Sequence, residues 1–395
     1  MRKIAASYIY PITSNPIKNG IIVLDDNGKI IDLIDNKGVL IDSEGVEFYG
    51  GMLVPGFINS HCHLELSCYK GFIEKNLHLH GFIPSLTEKR NQFTDKEKHS
   101  WINKADKIMF CNGISAVGDI SNTLDTIEVK TNSHICYHTF VEIFGSDSNM
   151  ALNNFKKGTL LYDEFIKNNL YASVVPHSPY SVSEKLFTHI KEHNKIYSDV
   201  ISIHNQESPF ENELFQTKSG KLAEMIIKLG GSVNDWNNSG KNSLESVIDL
   251  LNNDINIILV HNTFTKQKDI DSVEKYLSDI YWCLCPNSNL YIENCLPDIN
   301  LFYKNMLKIT IGTDSYASND SLCILEEIKT IALNFPEIPV DILLLWATFN
   351  GAEALKINDH FGSFEIGKKP GVVLIENADL KNMKLNKSTT CRRLV

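Results

Sequence analysis

The sequence predicts an α/β fold in which the middle of the chain forms a (β/α)8 TIM barrel. Two observations predict this fold: apolar, β-rich runs recur along the middle of the chain, and helical segments lie between most of them. In addition, short β fragments stand at both chain ends, so they can form one small domain. We place the small domain at residues 1–53 and 360–395 and the barrel at residues 54–359. A doubly wound sheet has the same alternation and is the alternative fold.

Eight apolar runs supply the strands of the predicted barrel. They cover residues 53–59, 114–120, 135–144, 171–176, 200–204, 255–261, 280–285 and 308–312. Helical segments include residues 96–111, 183–195, 266–278 and 321–334. The terminal β fragments are residues 21–24 and 30–34, joined by a turn, and residues 372–375 near the other end.

The composition excludes several classes of protein. The 395 residues are 43% hydrophobic and 22% charged, which is typical of a globular protein and not of a disordered chain. Lys plus Arg number 38 and Asp plus Glu number 48, so the net charge of −10 argues against nucleic acid or an anionic membrane as a partner. The nine cysteines form no C-x-x-C pair, and no apolar run approaches a membrane span. These features predict a cytoplasmic protein with reduced thiols.

Polar side chains that can bind a metal follow five of the eight runs. The carboxyl ends of barrel strands meet at one mouth, where active sites lie. His61 and His63 follow the first run, and residues two apart in a strand point the same way. The other strand ends carry His177, His204 with Glu207, His261, and Asp314. Their joint occurrence predicts a functional site at this mouth.

The residue types in this set predict a hydrolytic metal site. Three imidazoles and one carboxylate suit a divalent ion such as Zn²⁺ or Fe²⁺, with one open position for water. Such an ion lowers the pKa of its water to about 7, so hydroxide forms near neutral pH. Glu207, three residues after His204, is a candidate proton shuttle. A second His-x-His pair, His78 and His80, has no strand before it, and we assign it to a loop or the pocket wall.

The ordered series of motifs resembles the cytosine-deaminase-like branch of the amidohydrolase superfamily, which also holds the triazine chlorohydrolases. The motifs are PGFINSHCHLE, PHSPYSVS, IHNQES, LVHN, CPNSNLYI, IGTDSYASNDS and GSFEIGKKPGVVLIE, and they cover nearly the whole chain. The resemblance implies a (β/α)8 barrel with a small β-sandwich domain built from both termini. It also implies a homodimer and a hydrolase that acts on C–N bonds, other than peptide bonds, in cyclic amidines.

The resemblance implies a metal site with one divalent ion per chain. Its ligands would be His61, His63, His204 and Asp314, with Zn²⁺ as the first choice and Fe²⁺ as the alternative. Binuclear branches of the superfamily carry a carboxylated lysine at the fourth strand. Here His177 occupies that strand end and no lysine is present, which favours one metal.

Catalytic roles are also implied by the resemblance. Glu207 would protonate the ring nitrogen of the substrate, and His261 would orient the attacking hydroxide on the metal. Asp314 would take the proton of the attacking water, and His177 would contact the substrate. Because Glu207 would alternate between acid and base, we expect its pKa to be raised by an apolar setting.

The substrate is predicted to be an adenine-type nucleoside, with 6-amino-6-deoxyfutalosine of the futalosine route to menaquinone as the first candidate. S-adenosylhomocysteine, methylthioadenosine, guanine or a chlorohydrolase-type substrate are the alternatives. Glu65 follows the metal pair and is a candidate for binding ribose hydroxyls; as an alternative it stabilises a helix N-terminus. Arg90 is the only arginine in the predicted barrel and would bind a substrate carboxylate, with a solvated helix charge as the alternative.

Overall fold

The computed structural model describes residues 1–39, 45–236 and 240–395. Its strands are β1 (Arg2–Ile9), β2 (Ile17–Lys18), β3 (Ile21–Leu24), β4 (Ile30–Ile34), β5 (Val46–Pro55), β6 (Phe57–Cys62), β7 (Ile114–Ser121), β8 (Cys136–Ile143), β9 (Tyr171–Pro176), β10 (Val200–Asn205), β11 (Asn256–His261), β12 (Ile280–Leu284), β13 (Ile309–Ile311), β14 (Val372–Glu376) and β15 (Thr390–Arg393). Each of the eight predicted runs overlaps one of the strands β6 to β13, and the first run, residues 53–59, also includes the end of β5.

The strands β6 to β13 form two parallel four-stranded sheets with the orders β6-β7-β8-β9 and β10-β11-β12-β13. Hydrogen bonds join the sheets at both edges. The amide of His204, in β10, donates to the carbonyl of His177, just after β9, over 3.0 Å. The amide of Thr313, just after β13, donates to the carbonyl of His61, in β6, over 3.0 Å. Because all eight strands are parallel, their carboxyl ends lie at one edge.

Helices follow most of these strands, as the sequence predicts. They are α1 (His78–Lys89), α2 (Asp95–Cys111), α3 (Ile127–Asn132), α4 (Ala151–Lys167), α5 (Glu184–Tyr197), α6 (Pro209–Thr217), α7 (Lys221–Lys228), α8 (Ser243–Val247), α9 (Gln267–Tyr276), α10 (Pro286–Glu293), α11 (Ile299–Lys304), α12 (Ile324–Asn334), α13 (Val340–Ala347) and α14 (Phe349–Ala354). Short 3-10 helices cover Leu64–Tyr69, Ser148–Met150, Pro179–Ser181 and Ile248–Leu250.

The start of α6 is fixed by its own sequence. Ser208 and Glu211 form a capping box, and Pro209 occupies the first helical turn, where its missing N–H costs nothing. The carboxylate of Glu211 also accepts the amide hydrogen of Glu207 over 2.7 Å. The cap of α6 therefore holds the backbone that carries Glu207.

Strands from both chain ends pair in a third sheet. Its order is β15-β14-β5-β1-β3-β4, with β2 paired to β1. β14 runs antiparallel to β5, with Val373 opposite Val54, and β15 runs antiparallel to β14. The turn between β3 and β4 needs Gly28, whose φ of 79° is unfavourable for other residues. Among the described residues these strands form one continuous sheet, so the two-layer β-sandwich stays a prediction.

The strands of the middle region are buried on both faces. In β11, for example, Ile257, Ile258, Leu259 and Val260 are all fully buried. Such continuous apolar runs are typical of parallel strands that are covered by helices on one side. No helix in the described part of the chain is long and apolar enough to cross a membrane.

Candidate active site

Four donor atoms from three strand ends meet at the carboxyl edge of the parallel strands. Nε2 of His63 lies 3.2 Å from Nε2 of His61 and 3.3 Å from Nε2 of His204. Oδ1 of Asp314 lies 3.5 Å from Nε2 of His63 and 3.7 Å from Nε2 of His61. All four side chains are buried. The structure thus brings together the four residues that the sequence predicts as metal ligands.

The spacing of these atoms suits a divalent ion. Ligand atoms about 2.1 Å from one ion in a tetrahedral arrangement lie about 3.4 Å from one another. The four distances given above, from 3.2 to 3.7 Å, bracket that value. Three imidazoles and one carboxylate are ligands that Zn²⁺ and related ions prefer. The donor set therefore fits the predicted metal.

His204 is held in the tautomer that a metal ligand needs. Its Nδ1 donates a hydrogen bond to the carbonyl oxygen of His177 over 2.8 Å. With the hydrogen on Nδ1, the lone pair of a neutral ring lies on Nε2, which faces His63. Burial lowers the pKa of His204 to about 4, so the ring is neutral at neutral pH.

Asp314 is oriented by two serine hydroxyls. Oγ of Ser288, on α10, and Oγ of Ser318 each donate to Oδ2 of Asp314 over 2.6 Å. Oδ1 is left to face the imidazoles. Burial acts to raise the pKa of Asp314, but its hydrogen bond to His61 and the neighbouring imidazoles outweigh burial and lower it well below its usual value. The carboxylate is therefore ionised.

The backbone is left-handed at three strand ends around the site. The φ angles are 45° at Gln206, 73° at His261 and 56° at Asp314. Residues with side chains rarely adopt such angles, and these conformations cluster at functional sites because the surrounding structure must hold them. The turns place the side chains that follow β10, β11 and β13 close together.

Glu207 and His261 lie beside the four donors. Oε2 of Glu207 is 3.7 Å from Nε2 of His261, and the ring of His261 stacks with that of His204 at 5.5 Å between centroids. Burial, followed by the charges of Asp314, Glu211 and Glu293, raises the pKa of Glu207 well above its usual value. Burial therefore favours the protonated form of this carboxyl group more than in an exposed glutamate.

The sequence matches the model of the amidohydrolase family over residues 52–391, which is most of the chain. The chain belongs to the amidohydrolase family. The family expected from the motifs is thus confirmed.

Two relatives are similar to this amidohydrolase over most of their length. The adenosine deaminase of Helicobacter pylori is 26% identical over 368 residues, which cover 88% of this chain and 86% of the relative. The aminodeoxyfutalosine deaminase of a Nitratiruptor species is 26% identical over 375 residues, which cover 91% of this chain and 88% of the relative.

Two solved structures share the fold of this amidohydrolase. The aminofutalosine deaminase of Helicobacter pylori, in complex with methylthio-coformycin, superposes with a TM-score of 0.82 at 23% identity. The match covers 95% of this chain and 92% of that one. An adenosine deaminase of Xanthomonas campestris with bound zinc gives a TM-score of 0.73 at 20% identity and covers 97% of this chain and 86% of that one.

His177 and Glu65, the predicted substrate contacts, lie at the same edge of the amidohydrolase. Nδ1 of His177 lies 2.6 Å from Oγ of Ser181, and burial lowers the pKa of the ring to about 4. Oε2 of Glu65 accepts hydrogen bonds from the amides of Asn122 and Thr123 over 3.0 and 3.1 Å. Glu65 therefore anchors the loop after β7, while burial raises its pKa to about 7.

Arg90, the third predicted substrate contact, lies at the end of α1. It is exposed and directly follows α1. No carboxylate among the described residues forms an ion pair with its guanidinium. The positive charge of Arg90 nevertheless contributes to lowering the pKa of Glu65 and of His177. An uncommitted cation thus stands within electrostatic range of the pocket.

The second His-x-His pair lies in a helix and not in the predicted loop. α1 begins at His78, because buried Glu293 of α10 accepts the amide hydrogen of Leu79 over 2.8 Å and contacts Nδ1 of His78 over 2.9 Å. The helix is thus capped by a residue distant in sequence, which no local pattern reveals. His80 packs edge-on against Phe210, three residues after Glu207. Its assignment to the pocket wall stays a prediction.

Sequence reasoning missed several residues that support the site. Ser288 and Ser318 hold Asp314, and both lie inside quoted motifs without an assigned role. Glu142, near the end of β8, places its carboxylate 3.4 Å from Nδ1 of His204. Its position inside the apolar run 135–144 could have indicated a buried, paired carboxylate, since acidic side chains are rarely buried without a partner.

Proposed function

We propose that this amidohydrolase hydrolyses the exocyclic amine of an adenine-type nucleoside and releases ammonia. The observation that carries the proposal is the position of buried Glu207 next to His261, beside four converging ligand atoms. The names of two relatives, adenosine deaminase and aminodeoxyfutalosine deaminase, support the substrate class. 6-Amino-6-deoxyfutalosine is the first candidate, followed by S-adenosylhomocysteine and methylthioadenosine.

One divalent ion per chain would be held by His61, His63, His204 and Asp314. Zn²⁺ is the first candidate, which the zinc bound in the Xanthomonas campestris relative supports, and Fe²⁺ is the alternative. When bound, such an ion lowers the pKa of water and so supplies a nucleophile at neutral pH.

Three side chains would manage the protons of the reaction. Asp314, ionised and fixed by two serines, accepts the proton that the attacking water gives up. Glu207 donates its proton to the ring nitrogen next to the carbon that bears the amine, which avoids a ring anion. Nε2 of His261, beside Glu207, orients the attacking oxygen. The hydroxyl proton on the attacked carbon then returns to Glu207 as the carbonyl forms, and Asp314 passes its proton to the amine. The C–N bond breaks, ammonia leaves, and the ring nitrogen keeps the proton that Glu207 gave it.

Substrate contacts would come from the rim of the pocket. His177 would contact the base, and Glu65 would accept hydrogen bonds from ribose hydroxyls. Arg90 would bind a carboxylate if the substrate carries one, because a planar guanidinium pairs well with that group. The free cation near Glu65 supports this last role.

The architecture that we propose for this site is a closed (β/α)8 barrel over residues 54–359. The hydrogen bonds that join β9 to β10 and β13 to β6 support closure. Residues 1–53 and 360–395 would form the small β-sandwich domain, which the shared sheet of both termini supports. We also propose a homodimer in the cytoplasm.

The experiment that tests the function is ammonia release from a panel of amines. The panel holds aminodeoxyfutalosine, S-adenosylhomocysteine, methylthioadenosine, adenosine, guanine and cytosine, each with added Zn²⁺ and with a chelator. We expect turnover of an adenine nucleoside that requires metal, and kcat/KM ranks the substrates. A protein that binds one metal per chain but releases ammonia from none of them would contradict the proposal.

A further inference from the structure

We propose that Glu142 is a positioning residue that fixes the ring of His204 for metal binding. The inference rests on the metal site proposed above and assigns a role to a residue outside its four ligands. Glu142 lies in β8, and His204 lies two strands away in β10.

The geometry places one oxygen of Glu142 at the back of the His204 ring. Oε1 lies 3.4 Å from Nδ1 of His204, and both side chains are less than one-tenth exposed. Nδ1 donates its main hydrogen bond to the carbonyl of His177 over 2.8 Å. The Nδ1 hydrogen is therefore directed at the carbonyl, and the carboxylate oxygen lies next to the same nitrogen without a hydrogen bond to it, while Nε2 faces the site.

The other half of the carboxylate is held in place. Nδ2 of Asn122 donates to Oε2 of Glu142 and to the carbonyl of Glu142, each over 3.1 Å. Oε1 is buried and has no hydrogen-bond partner among the described residues. A buried carboxylate oxygen without a partner is costly. Attraction to the Nδ1–H of His204 offsets that cost, and more so when a bound cation draws electron density out of the ring.

Two other roles for Glu142 fit the geometry less well. Glu142, His177 and His204 lie close enough to resemble a second metal site. However, Nδ1 of His204 carries a hydrogen for the carbonyl of His177, so it has no lone pair for a second ion. A direct substrate contact is disfavoured because Oε1 is closed off from the surface. An acceptor behind a metal-binding imidazole fixes the ring and raises its basicity.

The test compares metal affinity in Glu142→Gln and wild-type protein. The metal-free full-length chain competes for Zn²⁺ with a chromophoric chelator. We expect Glu142→Gln to bind Zn²⁺ about 10- to 100-fold more weakly, as for other residues that orient metal ligands. The substitution keeps the shape of the side chain but removes its negative charge. In place of Oε1, either an amide NH2 group or a neutral amide oxygen then lies next to Nδ1 of His204.

A matched control is Glu65→Gln, which changes a second buried glutamate at the same edge that is held by Asn122 and Thr123. Its Zn²⁺ affinity should stay within about threefold of wild type, since in the described part of the chain no hydrogen bond or ion pair joins Glu65 to a metal ligand. The metal-free Glu142→Gln protein should unfold at the wild-type temperature, and its Co²⁺-loaded form should show shifted d–d absorption bands. A merely structural role would lower the unfolding temperature instead.

The outcomes separate this inference from the proposed function. Wild-type affinity and an unshifted Co²⁺ spectrum in Glu142→Gln would overturn the role of Glu142 and leave the deaminase proposal intact. A wild-type chain that binds no Zn²⁺ would overturn both. Weaker Zn²⁺ binding in Glu142→Gln, together with no ammonia release by the wild type from any amine, would support the positioning role and contradict the proposed function.

Discussion

Oε2 of Glu207 lies 3.7 Å from Nε2 of His261, although the residues follow different strands, β10 and β11. Burial moves the two pKa values in opposite directions, raising that of Glu207 and lowering that of His261. The raised pKa favours the protonated carboxyl group and the lowered pKa favours the neutral imidazole, so burial favours a contact between two uncharged groups. A protonated carboxyl group can donate its proton to a substrate, while the neutral imidazole beside it adds no charge to the buried site.

Glu207→Gln should retain metal but lose turnover. The amide cannot give a proton to the ring nitrogen, and general acid catalysis contributes about 100-fold or more to the rate. The measurement is kcat at saturating metal, together with metal content by elemental analysis. Glu213→Gln, on the exposed face of α6, is the matched control and should keep wild-type kcat. A metal-loaded Glu207→Gln protein with full activity would contradict the role.

Removal of metal should abolish ammonia release and lower stability. An ion that binds only the folded chain adds about 2.7 kcal/mol to the free energy of unfolding when its free concentration is 100 times its Kd. Thermal unfolding with Zn²⁺ and with a chelator measures the shift. His204→Ala should show no shift, whereas His78→Ala, in the other His-x-His pair, should show the wild-type shift. An equal response of both variants would speak against the ligand assignment.

Arg90→Ala should weaken binding of a nucleoside that carries a carboxylate. Loss of a charge-assisted hydrogen bond should raise KM about 10-fold with little change in kcat. The KM of adenosine, which has no carboxylate, is the internal control and should not change. If the KM of the anionic nucleoside also stayed the same, Arg90 would be only a solvated charge.

Gly312→Ala should disturb the metal site through His61. A Cβ at Gly312 would lie 2.8 Å from Cβ of His61 and 2.9 Å from its carbonyl oxygen. Overpacking of this kind lowers the free energy of unfolding by about 1–3 kcal/mol. If His61 moves to relieve the close contact, metal binding becomes weaker. Urea unfolding and chelator competition measure both effects. Gly50→Ala is the control, because a Cβ there meets no atom within 4 Å.

The free energy of unfolding should depend on pH through His138. Burial, followed by the charge of Lys130, lowers the pKa of His138 to about 4. In the unfolded chain the value is about 6.5, so between these values only the unfolded chain binds the proton. The free energy of unfolding should therefore fall by up to about 1.4 kcal/mol per pH unit as the pH drops through this window.

The measurement is urea unfolding of the metal-free protein at about pH 7.5 and about pH 5. His138→Gln should lose this part of the pH dependence. His134→Gln, with an exposed ring in the wild type, should keep it. An unchanged slope in His138→Gln would show that this histidine does not bind a proton on unfolding.

The eight strands and the site at their ends were predictable because each corresponds to a local sequence pattern. An apolar run marks a buried strand, and a polar residue after it, such as His261, marks the carboxyl edge. The residues that support the site correspond to no such pattern. Ser288 and Ser318 reach Asp314 from α10 and from the loop after β13, and a serine near a helix has too many ordinary roles to be singled out.

The start of α1 shows the same limit for secondary structure. No residue near His78 provides a side-chain cap, so the local sequence does not predict a helix there. Glu293, more than half the chain away, supplies the acceptor for Leu79. An interaction between residues distant in sequence therefore determines where α1 begins.

The shared sheet of both chain ends has a consequence for synthesis on the ribosome. β5 emerges about 300 residues before β14, its antiparallel neighbour. Until β14 is made, the backbone donors and acceptors along one edge of β5 are unpaired. Other nascent chains can pair with such an edge. The chain is thus most prone to aggregate while it is still on the ribosome. A truncated chain that lacks β14 would leave this edge of β5 permanently unpaired.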